Sequence, residues 1–228
     1  MSYIKSEKLK KILNIVLPCV LMPLVVIFGS FYAEGKSYAL SSLILTLLSL
    51  ILFICGIESK KTGTRRLVIV SVMVALSSVG RLIPIFKPVT FLVVITGITL
   101  GPQAGFLTGA FSAVISNISF GQGPWTPFQM FAWGMLGFIA GLLQKPLNKK
   151  RVYLIIYLVF AGVIYSMILD VWTVLWYQQG FNIEMYRKAI ITAIPYTVIY
   201  SVSNVIFALL LSKPFCEKLH RVKVKYGV

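Results

Sequence analysis

Long apolar runs separated by short polar segments dominate the chain. Eight of these runs are predicted to be membrane-spanning helices, because a span needs about 20 apolar residues, or fewer where neighbouring helices shorten it. Helices are expected because lipid offers no hydrogen-bond partner to bare backbone amides. The predicted limits are 12–32, 38–57, 65–79, 89–100, 103–117, 126–143, 152–172 and 189–211. The pattern therefore predicts an all-α integral membrane protein.

The apolar runs change character along the chain. The first two are plain Leu, Ile and Val helices, whereas Gly, Ser, Pro and Trp concentrate from Arg65 onwards. We therefore predict a basic N-terminal segment with two additional transmembrane helices (1–64), a six-helix core (65–213) and a basic cytoplasmic tail (214–228). The first run resembles a signal peptide, but it is too long for one and lacks a clear cleavage site, so we expect it to be retained.

Composition agrees with this class. The 228 residues are 58% hydrophobic and 12% charged, with a mean hydropathy of +0.88, which is too little polar surface for a soluble domain of this length. The net charge of +16 does not indicate nucleic acid, because the basic residues form short clusters between apolar runs and no binding motif is present. With eight spans, 17 of the 22 basic residues fall on one side. The positive-inside rule then places both termini in the cytoplasm, in a multi-pass cell-membrane protein.

The titratable residues argue against an enzyme. Three Cys without metal-ligand spacing give neither a disulfide framework nor a zinc site. One His and six scattered acidic residues leave no triad, paired carboxylates or His cluster. We expect no catalytic residue, no metal site and no cofactor.

Three connectors are predicted to meet on the outer face, at 80–88, 117–125 and 170–188. The middle one opens the stretch NISFGQGPWTPFQMFAWG, Asn117–Gly134, which carries no charge but many amides, indoles, glycines and prolines. A stiff loop with amide and indole groups suits a flat, polar organic ligand, because stacking supplies contact area and amides fix orientation. The predicted ligand-binding residues are Arg81, Lys87, Asn117, Gln122, Trp125, Gln129, Trp133, Asp170 and Trp176.

Five of these candidates also have a structural interpretation. Arg81 and Lys87 can extend to lipid headgroups, and Trp125 can belong to an interfacial aromatic belt. Asn117 can join two helices by hydrogen bonds. Asp170 can pair with Arg81 or contact a ligand, since an intramembrane acid is a functional candidate by default.

Small residues line one face of the third span. Ser71 and Ala75 are four residues apart, and Ser78 lies close to the same face. Such spacing allows another helix to approach closely, either within this chain or from a separate membrane subunit. The chain has no P-loop, so uphill transport would need a partner or an ion gradient.

Two blocks resemble the substrate-binding S component of energy-coupling factor (ECF) vitamin transporters. They are GRLIPIFKPVTFLVVITGITLGPQAGFLTGAFSAVISN and FGQGPWTPFQMFAWGMLGFIAGLL, and the similarity extends over about 65–213. The resemblance implies a six-helix core that binds a vitamin or precursor outside. It also implies partners, namely a transmembrane coupling subunit and two cytoplasmic ATPases, with docking through a small-residue motif at the positions of Ser71 and Ala75.

The ligand is less defined than the family. The FGQGPWTP block looks most like S components for cobalamin or its precursors, while a thiamine precursor and a queuosine precursor stay open. A stand-alone ion-coupled carrier is the alternative from another class. It needs an intramembrane acid for coupling, and Asp170 is the one candidate in the sequence.

Overall fold

The computed structural model describes residues 7–31, 37–55, 60–178 and 181–227, and these ranges are helical with no strand. Helices occur at all eight predicted positions, so the predicted all-α fold is confirmed. The elements are α1 (Glu7–Val16), a π-helical turn (Leu17–Leu21), α2 (Met22–Phe31), α3 (Ser37–Cys55), α4 (Lys60–Gly80), α5 (Val89–Leu100), α6 (Pro102–Phe120), α7 (Thr126–Leu142), α8 (Gln144–Lys149), α9 (Arg151–Gln178) and α10 (Ile183–Tyr226).

The first predicted span consists of three successive helical segments. The π-helical turn contains Pro18, which has no N–H to donate and therefore disturbs the regular α-helical pattern. The α2 helix packs on α3, and α3 packs on α6 and α7. Gln103 Nε2 donates to Asn14 Oδ1 at 3.2 Å. The added N-terminal pair thus lies against the α6 and α7 side of the bundle.

The central helices α5, α6 and α7 pack unusually closely. A Cβ atom at Gly105 would collide with the Gly137 carbonyl oxygen, and one at Gly109 would collide with the Trp133 backbone. Glycine at these positions lets the two backbones touch, which is the usual device of membrane helix packing. This contact fixes the position of α7, and hence of Trp133, along the axis of α6.

Several basic side chains lie at one end of the bundle and cap helix carbonyls there. Arg66 donates to the Leu100 carbonyl, and Lys223 Nζ donates to the Thr99 carbonyl at 2.9 Å. Both carbonyls lie at the C-terminal end of α5, where the helix dipole favours positive charge. The connectors at 81–88 and 121–125 lie at the opposite end.

The prediction of a loop over 170–188 is wrong, because α9 and α10 cover most of that range. The α9 helix continues to Gln178, and α10 begins at Ile183 after Asn182, whose side chain accepts from the Glu184 and Met185 amides. The sequence between Asp170 and Gln178 contains no Gly or Pro to end a helix. Asp170 and Trp176 are therefore helical residues, and only a short connection separates the last two helices.

The C-terminal residues continue α10 as a helix. The α10 helix runs through Pro214 to Tyr226, and Leu219 is buried. Pro214 leaves an upstream carbonyl without its helical donor. Arg151 donates to the Ala208 and Leu209 carbonyls on that turn. The division at 1–64, 65–213 and 214–228 stays a prediction.

In the described parts of the chain, three helical segments are long and apolar enough to cross a bilayer, Gly63–Gly80, Arg151–Gln178 and Ile183–Tyr226. Three shorter apolar segments accompany them, at Ile12–Phe28, Leu43–Cys55 and Val89–Leu100. These helices identify a multi-pass membrane protein.

Candidate functional site

Arg81 is the first residue after α4, and two polar contacts hold its guanidinium against α6. Its Nη1 donates to Ser116 Oγ and to Asn117 Oδ1, each at 2.6 Å. The guanidinium carbon lies 4.8 Å from the centre of the Phe120 ring and 5.2 Å from that of Trp133. Burial lowers the pKa of Arg81, but an arginine stays charged at neutral pH. None of the described carboxylates neutralises it.

An amide chain extends from Arg81 across to α7. Asn117 Nδ2 donates to Gln129 Oε1 at 2.8 Å and to Thr126 Oγ1 at 2.9 Å. Because Asn117 Oδ1 accepts from Arg81, the orientation of the Asn117 amide is fixed by its partners. The chain thus orients Gln129. Its oxygen accepts from Asn117, and its side chain is also hydrogen-bonded to Tyr165 on the far wall of the cavity.

Aromatic rings form the wall below this chain. Trp133 stacks on Tyr165 with ring centres 4.9 Å apart and an interplanar angle of 14°. Tyr165 meets Tyr200 edge to face at 5.4 Å. Trp133 Nε1 donates to Thr90 Oγ1 at 3.2 Å, which orients the indole. Helices α5, α7, α9 and α10 each contribute to this wall, so its shape depends on the whole core.

Lys87 brings a second positive charge to the same place. Its Nζ lies 5.3 Å from the centre of the Phe120 ring, the ring that Arg81 also faces. Burial, and then the charge of Arg81, lower the pKa of Lys87. Ser203 Oγ donates to the Lys87 carbonyl at 3.0 Å, which attaches the connector to α10. Two cations facing one ring, without a described counter-ion, favour an anionic or carbonyl-rich ligand.

These side chains surround a cavity of about 90 Å³, which we call the Arg81 cavity. Its lining residues are Arg81, Lys87, Val89, Thr90, Gln129, Trp133, Tyr165, Leu169, Tyr200 and Asn204. Drug-sized ligands usually occupy about 300–1,000 Å³, so this cavity as it stands takes only part of a vitamin. Four predicted residues, Arg81, Lys87, Gln129 and Trp133, meet here.

Asp170 does not line the Arg81 cavity. It is buried, with 8% of its surface exposed, and its electrostatic environment contains no contribution from Arg81, so the suggested ion pair with Arg81 is absent. Asp170 instead lines an open space of about 390 Å³ between α9 and α10, which we call the α9–α10 groove. The groove is lined by Asp170, Thr173, Val174, Tyr177, Met185, Lys188, Ala189, Thr192, Ala193 and Tyr196.

Trp125 and Trp176 belong to an aromatic cluster with Trp172. Trp125 meets Trp172 edge to face at 5.8 Å, and Trp172 stacks on Trp176 at 6.3 Å. Half of the Trp176 surface is exposed. Neither Trp125 nor Trp176 lines the Arg81 cavity.

Asn117 and Gln122 do not line the Arg81 cavity, but their hydrogen bonds hold the residues around it in place. Gln122 Nε2 donates to the Val114 carbonyl at 2.7 Å, and its Oε1 accepts from Thr126 Oγ1 at 3.1 Å. These bonds connect the 121–125 connector to both α6 and α7. Asn117 is completely buried and reaches the cavity only through Arg81 and Gln129.

The small-residue face of α4 is open to the surroundings. Ser71 and Ala75 are exposed and Ser78 is half-buried, while Ser71 Oγ donates to the Leu67 carbonyl of its own helix at 3.0 Å. Val68 and Val79 on the same helix are 60% and 65% exposed. Within the described chain, the face at Ser71 and Ala75 therefore packs against no other helix.

Sequence reasoning missed four polar residues of the cavity wall, Thr90, Tyr165, Tyr200 and Asn204. All four lie inside apolar runs rather than in connectors. Asn204 offers the clearest sequence pattern, because an amide in a membrane span rarely faces lipid. In the structure it is 2% exposed, and its Nδ2 donates to the Leu158 carbonyl at 3.0 Å.

Among the described residues, no cluster of His, Cys, Asp or Glu is suited to hold a metal ion. Cys19, Cys55 and Cys216 are not joined by a disulfide. The site therefore offers hydrogen bonds, positive charge and aromatic surface, which are the means of binding an organic molecule.

The family model for the S component of ECF-type riboflavin transporters matches residues 61–216. No curated protein and no solved structure matches the chain. The predicted S-component class is confirmed, whereas the predicted cobalamin type is not, because the matching model is the riboflavin type. S components bind a small-molecule vitamin and work with an ECF module of ATPases and a transmembrane subunit. Since the match covers well over half of the chain, the protein belongs to the family of ECF-type riboflavin transporter S components.

Proposed function

We propose that the protein captures riboflavin, or a flavin of closely related chemistry, in the Arg81 cavity and delivers it across the membrane with an ATP-driven coupling module. The observation that carries this proposal is the pair of cations, Arg81 and Lys87, beside a stacked Trp133–Tyr165 wall. In this proposal the protein acts by binding and releasing its ligand.

The chemistry of a flavin ring suits the cavity. The pyrimidine edge of the ring carries carbonyl oxygens and ring nitrogens that accept hydrogen bonds from Arg81, Lys87 and the amide nitrogen of Gln129. The flat tricyclic ring provides apolar area for contact with Trp133 and Tyr165, and aromatic contacts of this kind favour offset or edge-on geometry. Hydrogen bonds from charged donors are about twice as strong as neutral ones.

Cobalamin fits the observed spaces less well. A corrin ring with its amide side chains is far larger than a flavin, while the Arg81 cavity measures about 90 Å³ and the α9–α10 groove about 390 Å³. Cobalamin, a thiamine precursor and a queuosine precursor are therefore competitors against which riboflavin binding is to be compared.

Delivery requires a partner, and we propose the exposed face of α4 as its docking surface. Ser71, Ala75 and Ser78 are small enough for a helix of the transmembrane coupling subunit to approach closely. Two cytoplasmic ATPases on that subunit would supply the energy. The basic end of the bundle then faces the cytoplasm, with both termini, and the 81–88 and 121–125 connectors face outside.

Reconstitution in vesicles tests this function against the ion-coupled alternative. Vesicles receive the chain alone or the chain with the coupling module, and uptake of riboflavin is followed with and without internal ATP. We expect uptake only when both module and ATP are present. Uptake by the chain alone, driven by a proton or sodium gradient, would instead establish a stand-alone carrier.

A further inference from the structure

We propose that the α9–α10 groove is the second half of the vitamin site and holds the hydroxylated side arm of the ligand, with Asp170 as the residue that selects for that arm. The inference rests on the proposed function, because it assumes that the ring portion occupies the Arg81 cavity.

The register of the two helices makes the groove continue from the cavity. On α9, Tyr165 and Leu169 line the Arg81 cavity, and Asp170 and Thr173 follow directly as groove residues. The antiparallel α10 helix repeats this order in reverse. There Asn204 and Tyr200 line the cavity, while Tyr196, Ala193 and Thr192 line the groove. On both helices, the residues that line the cavity are therefore followed, towards the same end of the bundle, by residues that line the groove.

The two linings adjoin along the helices at Leu169, which directly precedes Asp170 on α9, and at Tyr200, one turn from the groove residues of α10. A rotation of this tyrosine or of Leu169 would join the spaces. The combined volume then falls within the range of about 300–1,000 Å³ that is usual for a small-molecule site.

The groove has the chemistry of a polyol site. Asp170 is buried, and Lys188, the basic side chain that also lines the groove, forms no ion pair with it. A buried carboxylate without a counter-ion is costly unless donors satisfy it. Hydroxyl groups are suitable donors, and Thr173 and Thr192 add further hydrogen-bonding groups from the two walls. Val174, Ala189 and Ala193 supply the apolar remainder, against which a carbon chain packs.

The test compares riboflavin with lumiflavin, which has the same ring but a methyl group in place of the ribityl arm. For the wild-type protein, we expect riboflavin to bind at least about tenfold more tightly, since hydrogen bonds to a charged group contribute about 1.5–3 kcal/mol each. Asp170→Asn should weaken riboflavin about tenfold and leave lumiflavin within about twofold. Arg81→Gln should weaken both ligands, and Ile191→Val, on the exposed face of α10, should change neither.

A labelling experiment provides a second measurement that does not depend on Asp170. Ala193→Cys is introduced after Cys19→Ser, Cys55→Ala and Cys216→Ser, and its reaction with a thiol reagent is timed. Riboflavin should slow the reaction severalfold, whereas lumiflavin should not. The control Ile191→Cys should react at the same rate under all conditions.

The outcomes separate the two proposals. If the wild-type protein binds riboflavin and lumiflavin equally well, or if Asp170→Asn weakens both to the same extent, the two-part site is wrong while flavin binding stands. If neither flavin binds the wild-type protein, the proposed ligand is wrong and the inference fails with it.

Discussion

At the scale of single residues, Arg81 has the most connections in the site, because its guanidinium bonds to α6 and faces the rings of Phe120 and Trp133. We predict that Arg81→Gln lowers riboflavin affinity about 10- to 100-fold, the loss expected for one or two charge-assisted hydrogen bonds. Calorimetric titration of the purified variant measures this. An unchanged affinity with an intact melting temperature would place the ligand elsewhere.

Gln129 and Trp125 should behave differently when truncated, although both were predicted to bind ligand. Gln129 lines the cavity, so Gln129→Ala should weaken binding about tenfold, as expected for a lost hydrogen bond in a buried site. Trp125 packs on Trp172 and covers Gly123, so Trp125→Ala should lower the melting temperature more than the affinity. Parallel melting and binding curves distinguish the two. The opposite order of effects would place the pocket nearer the tryptophan cluster.

The sequence located the site residues of the 81–88 connector and of α7, but not those that α5, α9 and α10 contribute. Arg81, Lys87, Gln129 and Trp133 interrupt apolar runs visibly, and they line one cavity. Tyr165 and Tyr200 lie within spans, where a tyrosine is common and its partners depend on helix rotation. Asp170 was grouped with the cavity because it was assigned to a loop. It follows Tyr165 by five residues, which turns it about 140° around α9 at about 3.6 residues per turn.

At the scale of elements, the exposed face of α4 is the surface that we propose to connect binding to delivery. We predict that Ser71→Leu abolishes ATP-dependent uptake and preserves riboflavin affinity, because a large side chain keeps the partner helix at a distance and the site lies at the far end of α4. Leu210→Phe is a matched control, since Leu210 on α10 is 67% exposed and also gains bulk towards lipid. Normal uptake by Ser71→Leu would remove this face from the docking interface.

The helices themselves were predictable where apolar runs end in Gly or Pro. The limits of α5 agree with the predicted 89–100, because Pro88 precedes that helix and Gly101 and Pro102 follow it. The end of α9 and the length of α10 were not predictable in this way. Aromatic residues extend α9 beyond the expected 172 to Gln178, and α10 passes both of its internal prolines, Pro195 and Pro214.

At the scale of the whole molecule, the account requires the vitamin site to face outside. Ser119 is exposed near the outer end of α6, and Lys149 is exposed at the end of α8. In the cysteine-free background, Ser119→Cys should react with a membrane-impermeant thiol reagent in intact cells. Lys149→Cys should react only after the cells are opened. The reverse pattern would place the Arg81 cavity on the cytoplasmic side and exclude capture from outside.

The overall architecture followed from hydrophobicity and charge, because lipid permits few alternatives to helices and basic clusters recur at every second connector. The ligand did not follow in the same way. The block around Trp125 resembled cobalamin-type S components, but Trp125 forms part of an aromatic cluster beside the cavity rather than its lining. In the proposed site, ligand choice depends on a wall assembled from four helices, and no short motif contains that wall.

Equilibrium binding of riboflavin to the purified, unpartnered chain tests the central claim most directly. The account predicts saturable binding of one riboflavin per chain, without ATP or coupling subunits and in preference to cobalamin, thiamine precursors and queuosine precursors. A chain that is folded by its melting curve but binds no riboflavin, or binds one of these competitors more tightly, would contradict it.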